Sequence, residues 1–262
     1  MIAVVDYHKG NLKSVERGIA AAGGDARVTD DAALIARADA IVLPGVGAFA
    51  DAAATMQALG QTGAVRRRIE AGVPFLGICL GMHLMFEEGV EGAPDEDDET
   101  SSHNACGLAI LPGVVTPLPR TDPQGHSYKV PHVGWNTVEY RGGSEGSGGL
   151  HKASSARAEN PSGVFVRAGL SERLEAAGPF AEQVAFASPL FAGIPSGTYF
   201  YFTHSYVAPD GPFATAHTTH SVTFPCAVQF GDVAFGVQFH PEKSSEAGAR
   251  LLRNFVDIVK GA

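Results

Sequence analysis

Residues 73–83 read Val73-Pro-Phe-Leu-Gly-Ile-Cys79-Leu-Gly-Met-His83, and the switch inside them decides the fold. Pro74 to Ile78 is a short apolar run of strand type, and Leu80 to Glu87 reads as a helix. The same order recurs upstream. Ile2 to Asp6 predicts a strand, and Asn11 stands where it can cap a helix carrying Leu12, Val15, Ile19 and Ala22 at helical spacing. Ala26 to Thr29 and Ala40 to Leu43 predict two further strands, and a helical stretch covers Met56 to Glu70. Strands that alternate with helices build a mostly parallel sheet covered on both faces, so the fold class is α/β, an open central sheet flanked by helices.

The last third adds strands of another kind. Tyr199 to Phe202 is one, and Ala227 to Phe230 and Ala234 to Phe239 are joined across Gly231-Asp232, which suits an antiparallel hairpin. A final helix follows, with Ser244 or Ser245 as cap, Glu246 at its positive end, and Leu251, Leu252, Phe255, Ile258 and Val259 as one apolar stripe. Two stretches interrupt the pattern. Asp95 to Glu99 are five consecutive acidic residues that repel one another in a core and predict a solvated loop. From Tyr140 to Glu182 the composition shifts to Gly, Ser, Ala and Arg, which predicts an inserted surface segment with a weak helical patch near Leu170 to Ala177.

The bulk numbers bound the rest. At 262 residues, 45% apolar and 18% charged, the chain has enough apolar surface for a single folded domain, residues 1–262, bearing that insertion. Its longest apolar stretches, Ala40 to Val46 and Val73 to Leu80, fall far short of the roughly 20 residues that cross a bilayer, so no membrane partner is expected. A strand signal begins at Ile2 with no basic and apolar leader, and Cys79, Cys106 and Cys226 include no Cys-x-x-Cys. Both features fit a reducing, cytoplasmic setting. A net charge of −9 repels a phosphate backbone, which argues against nucleic acid.

Chemistry concentrates at Gly77-Ile-Cys79-Leu-Gly81, a G-x-C-x-G turn at a strand-to-helix switch, the setting of a nucleophile elbow with sulfur in place of oxygen. Glycines allow the sharp turn and close approach of neighbouring segments. A helix N-terminus favours a thiolate over a thiol, and the N–H of Leu80 is aimed to bind an oxyanion. Cys106 and Cys226 lack this context and read as ordinary cysteines, the buried core being the commonest place for one. The thiol needs a base. Phe235 to Glu242 ends a strand with His240 at its tip, and in an extended segment residues two apart share a side, so Glu242 reaches His240 and fixes its tautomer. Pro44-Gly-Val-Gly-Ala-Phe49 follows a strand and offers the N–H of Val46 or Gly47 as a second oxyanion donor. It lacks the ending of a nucleotide loop, and no cofactor is expected. His217-Thr-Thr-His220 lacks a clear third ligand, so no metal is expected either.

Five segments together, Pro44 to Phe49, Gly77 to Met82, Pro131-His-Val-Gly-Trp-Asn136, Tyr201-Phe-Thr-His-Ser-Tyr206 and Gly236 to Ser245, resemble the glutaminase subunits of imidazole glycerol phosphate synthase, of the class I amidotransferase type with its flavodoxin-like sheet. The resemblance implies that Cys79 attacks the side-chain amide of L-glutamine, that His240 and Glu242 complete a triad, and that Val46, Gly47 and Leu80 hold the oxyanion. It further implies a heterodimer with a (β/α)8-barrel cyclase, which consumes the ammonia in histidine biosynthesis, and sets Trp135, Asn136 and Lys243 toward that partner. Position 83 and the pair Ser205 and Tyr206 fall where the family holds glutamine. Here the family's usual Gln is His83, and the segment from Tyr140 to Glu182 is longer than the family carries. Two alternatives stay open from the sequence: a class I glutaminase serving another synthase, and a non-catalytic binding subunit with this fold.

Overall fold

The computed structural model describes residues 1–93, 104–140 and 188–262. The acidic run at 95–99, and all of the segment 140–182 except Tyr140, including its expected helical patch, lie outside the described residues.

The first half alternates as its pattern predicts. Strand β1 (Ile2–Val5) leads into α1 (Leu12–Ala21), then β2 (Ala26–Thr29), a one-turn α2 (Ala32–Ile35) and β3 (Ala40–Gly45). Two helices follow, α3 (Phe49–Ala58) and α4 (Gln61–Glu70), where one stretch from Met56 is expected. Gly60 separates them at φ 69°, a left-handed conformation that ends one helix and starts the next. Strand β4 (Phe75–Cys79) enters α5, which spans only Leu80–His83, and the chain then turns into β5 (Phe86–Gly89). The expected helix to Glu87 fails for a tertiary reason. The carbonyls of Leu84, Met85 and Phe86 accept instead from the N–H groups of Leu108, Ile110 and Ala109. Strands β6 (Ala105–Cys106), β7 (Leu111–Pro117) and β8 (His132–Val138) complete the middle of the chain.

The last third holds β9 (Thr198–His204), β10 (Tyr206–Val207), β11 (Ala214–Thr219), β12 (Thr223–Phe230), β13 (Ala234–Val237) and α6 (Ser245–Gly261). The expected hairpin is β12 and β13, antiparallel with Phe230 opposite Ala234. The principal sheet has seven strands in the order β11-β12-β13-β4-β3-β1-β2, parallel from β13 through β4, β3 and β1 to β2. A second sheet orders β10-β7-β5-β6, and β8 pairs antiparallel with β9. One face of the main sheet buries Val4, Val42 and Ile78 against Val15 and Ile19 of α1 and Leu251, Leu252 and Phe255 of α6. The other buries Val5, Ile41 and Phe75 against Met56 of α3 and Val65 and Ile69 of α4. Two apolar layers thus clamp β4, the strand that delivers Cys79, from both sides. Among the described residues no helix is long and apolar enough to cross a membrane.

Candidate active site

Cys79 is the last residue of β4 and has φ 55° and ψ −109°, a strained conformation for a residue with a Cβ. The strain persists because the glycines on each side are wedged. A Cβ on Gly77 would stand 2.5 Å from the Gly81 carbonyl oxygen, and one on Gly81 would stand 1.7 Å from that of Leu43. Only glycine permits this approach, so the elbow read from the motif is a packing requirement. Helix α5 is one turn long, so the sulfur sees the first N–H groups of that turn more than any macrodipole.

The parallel register sets the neighbours of Cys79. On one side Gly45 of β3 pairs with Cys79 itself, which brings the exposed Val46 and Gly47 next to the elbow; Gly47 has φ 101°. On the other side Val237 of β13 pairs with Ile78, so Gln238 falls beside Cys79 and His240 lies two residues further on. The thiol is 3.8 Å from the Thr203 carbonyl of β9, to which it donates, and the Gln238 side-chain amide donates to the sulfur at 3.8 Å. Leu80, the first residue of α5, is buried directly after Cys79.

His240 and Glu242 do meet, but through a tight turn and not through strand alternation: β13 ends at Val237, and Pro241–Lys243 form a single 3-10 turn that carries Glu242 back to the ring. Nδ1 of His240 is 2.9 Å from the Glu242 carboxylate, and both side chains are buried. Burial opposes a charge on the ring, yet interactions with Cys79 and Glu242 outweigh it and raise its pKa to about 9. Nε2 is buried without a hydrogen bond in the resting arrangement, the free position a base needs to receive a proton. The backbone holds the ring in place: its N–H donates to the Tyr201 carbonyl at 2.9 Å, and Ser244 donates to the His240 carbonyl at 2.7 Å. That second bond explains why Ser244, although it stands at the N-cap of α6, makes no side-chain cap to the helix.

The other expected residues divide. His83 is buried, with Nε2 2.6 Å from the Gln238 oxygen, and burial lowers its pKa to about 4. Ser205 and Tyr206 follow Thr203 by two and three residues, at the bend from β9 to β10. Trp135 is 50% exposed and stands opposite Tyr201 in the β8–β9 pair, with Lys243 over the Tyr201 ring at 5.8 Å. Asn136 is committed within the chain: its amide donates to the Thr219 carbonyl at 2.7 Å. His217 contacts Asp210, and His220 stacks on His132 and meets the Lys129 carbonyl. Gln238 and Thr203 are the residues that sequence reasoning passed over. The signal for Gln238 was partly present, since it continues the strand that pairs with β4 one residue past Val237 and so falls level with Cys79.

A strained cysteine stands at the carboxyl edge of a doubly covered parallel sheet, with a His-Glu pair just past the adjacent strand end, and the chain belongs to the class I glutamine amidotransferases. The sequence profile described as glutamine amidotransferase class-I matches residues 3–259. Within that class, this chain belongs to the family of the imidazole glycerol phosphate synthase subunit HisH. It is 38% identical to the HisH subunit of Moorella thermoacetica, an alignment covering 100% of this chain and 96% of that protein. With the HisH subunit of Syntrophotalea carbinolica it shares 36% identity over 98% of this chain and 100% of the other. Solved structures share the fold at low identity. A structure described as a glutamine amidotransferase superposes with a TM-score of 0.60 at 16% identity, over 99% of this chain and 100% of that one. The glutaminase domain of Trypanosoma brucei CTPS with bound acivicin gives 0.54 at 12%, over 99% and 93%.

Proposed function

We propose that this chain hydrolyses L-glutamine to glutamate and ammonia with Cys79 as nucleophile, His240 as general base and acid, and Glu242 as the carboxylate that orients His240. The observation that carries the reading is the 2.9 Å His240–Glu242 pair, with the unpaired Nε2, on the strand end beside the elbow. His240 takes the thiol proton, and the sulfur bonds to the amide carbon while oxygen takes the negative charge. The N–H of Leu80 and the Val46–Gly47 backbone are the donors proposed for that oxyanion. The imidazolium, stabilised by Glu242, then protonates the leaving nitrogen; the C–N bond breaks and ammonia departs. Water, losing its proton to His240, attacks the thioester, the S–C bond breaks, and glutamate leaves. Glutamate release by the chain with its cognate cyclase tests this directly, and activity surviving in Cys79→Ala would end it.

The acceptor follows from the family. The relatives are by name subunits of imidazole glycerol phosphate synthase, and this chain is proposed to supply ammonia in the cytoplasm to a (β/α)8-barrel cyclase bound as a heterodimer. Residues 1–262 are taken as one amidotransferase domain, supported by the span of the profile match. The partner surface is proposed around Trp135 and Lys243, with Asn136 holding β8 to β11 behind it. Glutamine is proposed to lie near Ser205 and Tyr206. The isolated chain should turn over slowly, because its thiol donates to Thr203 and must rotate before His240 can take the proton. Tyr201 and Thr203, which contact His240 and Cys79, lie on β9 beneath that surface, so docking has a short route to the site. Equal turnover with and without cyclase and its ligand would contradict this coupling.

A further inference from the structure

We infer that Gln238 donates a hydrogen bond that orients and stabilises the Cys79 sulfur, and that His83 is a positioning residue that locks the Gln238 amide in its donating orientation. The inference rests on the amidase reading for its consequence in turnover, but its geometry stands alone. It turns His83, the residue that departs from the family pattern, from a substrate contact into part of the nucleophile's support.

Counting protons settles the direction of each bond. The Thr203 carbonyl can only accept, so the single thiol proton of Cys79 points to it at 3.8 Å. Toward Gln238 the sulfur is then left with lone pairs, and the end of the amide that faces it at 3.8 Å must be the NH2 group. That leaves the amide oxygen facing His83, 2.6 Å from Nε2, which must therefore carry the ring proton. Gln238 is fully buried, and its own N–H continues the sheet by donating to the Cys226 carbonyl at 2.9 Å, so neither partner can be replaced by water at low cost. His83 is buried and held neutral, which keeps one proton on the ring and one orientation in the chain of bonds. Were the amide to flip, its oxygen would face the sulfur and oppose the thiolate that attack requires. When the thiol gives up its proton, the Gln238 N–H becomes a charge-assisted bond to sulfur.

The test is the pH dependence of Cys79 alkylation by iodoacetamide in the full chain, read by mass spectrometry on the Cys79 peptide alone. The titrating groups around the sulfur are Tyr7, two residues past β1, with Asp6 beside it, and His240 with Glu242; His83 on α5, which bonds Gln238, is faced in turn by His204 of β9. Gln238→Met keeps length and burial but removes the donor. It should move the alkylation midpoint up by about one unit and lower the rate at neutral pH about 5- to 10-fold. His83→Leu should produce a smaller loss, about 3-fold, and His83→Gln, whose amide can also donate to Gln238, should stay within about 2-fold of wild type. A folded Gln238→Met with an unchanged midpoint overturns the role of Gln238, and a folded His83→Leu identical to wild type overturns that of His83. Should these variants fail to fold, the 15N shifts of the His83 ring in the wild-type chain decide: a proton on Nδ1 with none on Nε2 overturns the scheme. Alkylation needs no glutamine, so failure of the amidase reading would appear separately, as glutamate release retained in Cys79→Ala.

Discussion

His240 and His83 are equally buried, each 3% exposed, yet their surroundings shift their pKa values in opposite directions. The His240 pocket supplies the Cys79 sulfur and a carboxylate at 2.9 Å, which together raise the ring's pKa to about 9 despite burial. The His83 pocket supplies an amide oxygen at 2.6 Å, and burial prevails, lowering the pKa to about 4. Hydrogen-bond length does not separate them; the charge of the partner does. A histidine that must take up and release a proton is given an anion to stabilise its imidazolium, whereas one that must only hold an orientation is given a neutral partner.

The contrast is broken most severely by removing the sulfur itself. Cys79→Ala should lower glutamate release by at least about 10^4-fold with the cyclase present, measured as initial rates. Next comes an exchange of partners. Glu242→Gln gives His240 the kind of partner His83 has, and kcat should fall on the order of 10^3- to 10^4-fold, with the His240 pKa dropping in an NMR titration. If kcat instead survives, the carboxylate is not orienting the base.

Stability against pH separates the pockets without kinetics. His240 has its folded pKa raised above the unfolded value of about 6.5, so its contribution is complete below that pH and is lost as pH rises through about 9. His83 has its folded pKa lowered, so its contribution is complete above about 6.5 and is lost as pH falls through about 4. His132 and His204, also lowered by burial to about 4 and about 3, add to the acid limb. Urea melts across pH should therefore show His83→Gln retaining more stability than wild type between pH 6 and 4, by no more than about 3 kcal/mol. The smallest effect sharpens the contrast: the same His83→Gln should keep kcat within about 2-fold, since an amide replaces a ring that never carries charge.

Legibility followed the range of the interactions. The elbow was readable because its glycines stand two residues either side of Cys79, although the contact that requires Gly81 is with Leu43 of β3, and the His240–Glu242 pair because the two residues are so close along the chain that a turn suffices to join them. The expected helix from Leu80 to Glu87 was lost after one turn, because Leu84, Met85 and Phe86 give their carbonyls to residues 108–110, a competition no local window contains. Strands β6, β7, β8 and β10 were missed for the same reason: partners far along the chain define them. Position 83 carried a family expectation of substrate contact, and its hydrogen bond to Gln238, 155 residues away, was not legible in the sequence.

By itself the sequence determined the α/β order of elements and the glycine-flanked turn at Cys79, and it marked His240 and Glu242 as a candidate pair, because propensity, period and spacing are properties of neighbours along the chain. Only the tertiary structure decided which atom each buried polar group meets. Gln238 beside Cys79, the thiol on the Thr203 carbonyl, and a neutral His83 all arise where β4, β9 and β13 converge. There, with water excluded, a lone pair or a proton has a single partner, and the register between distant strands selects it.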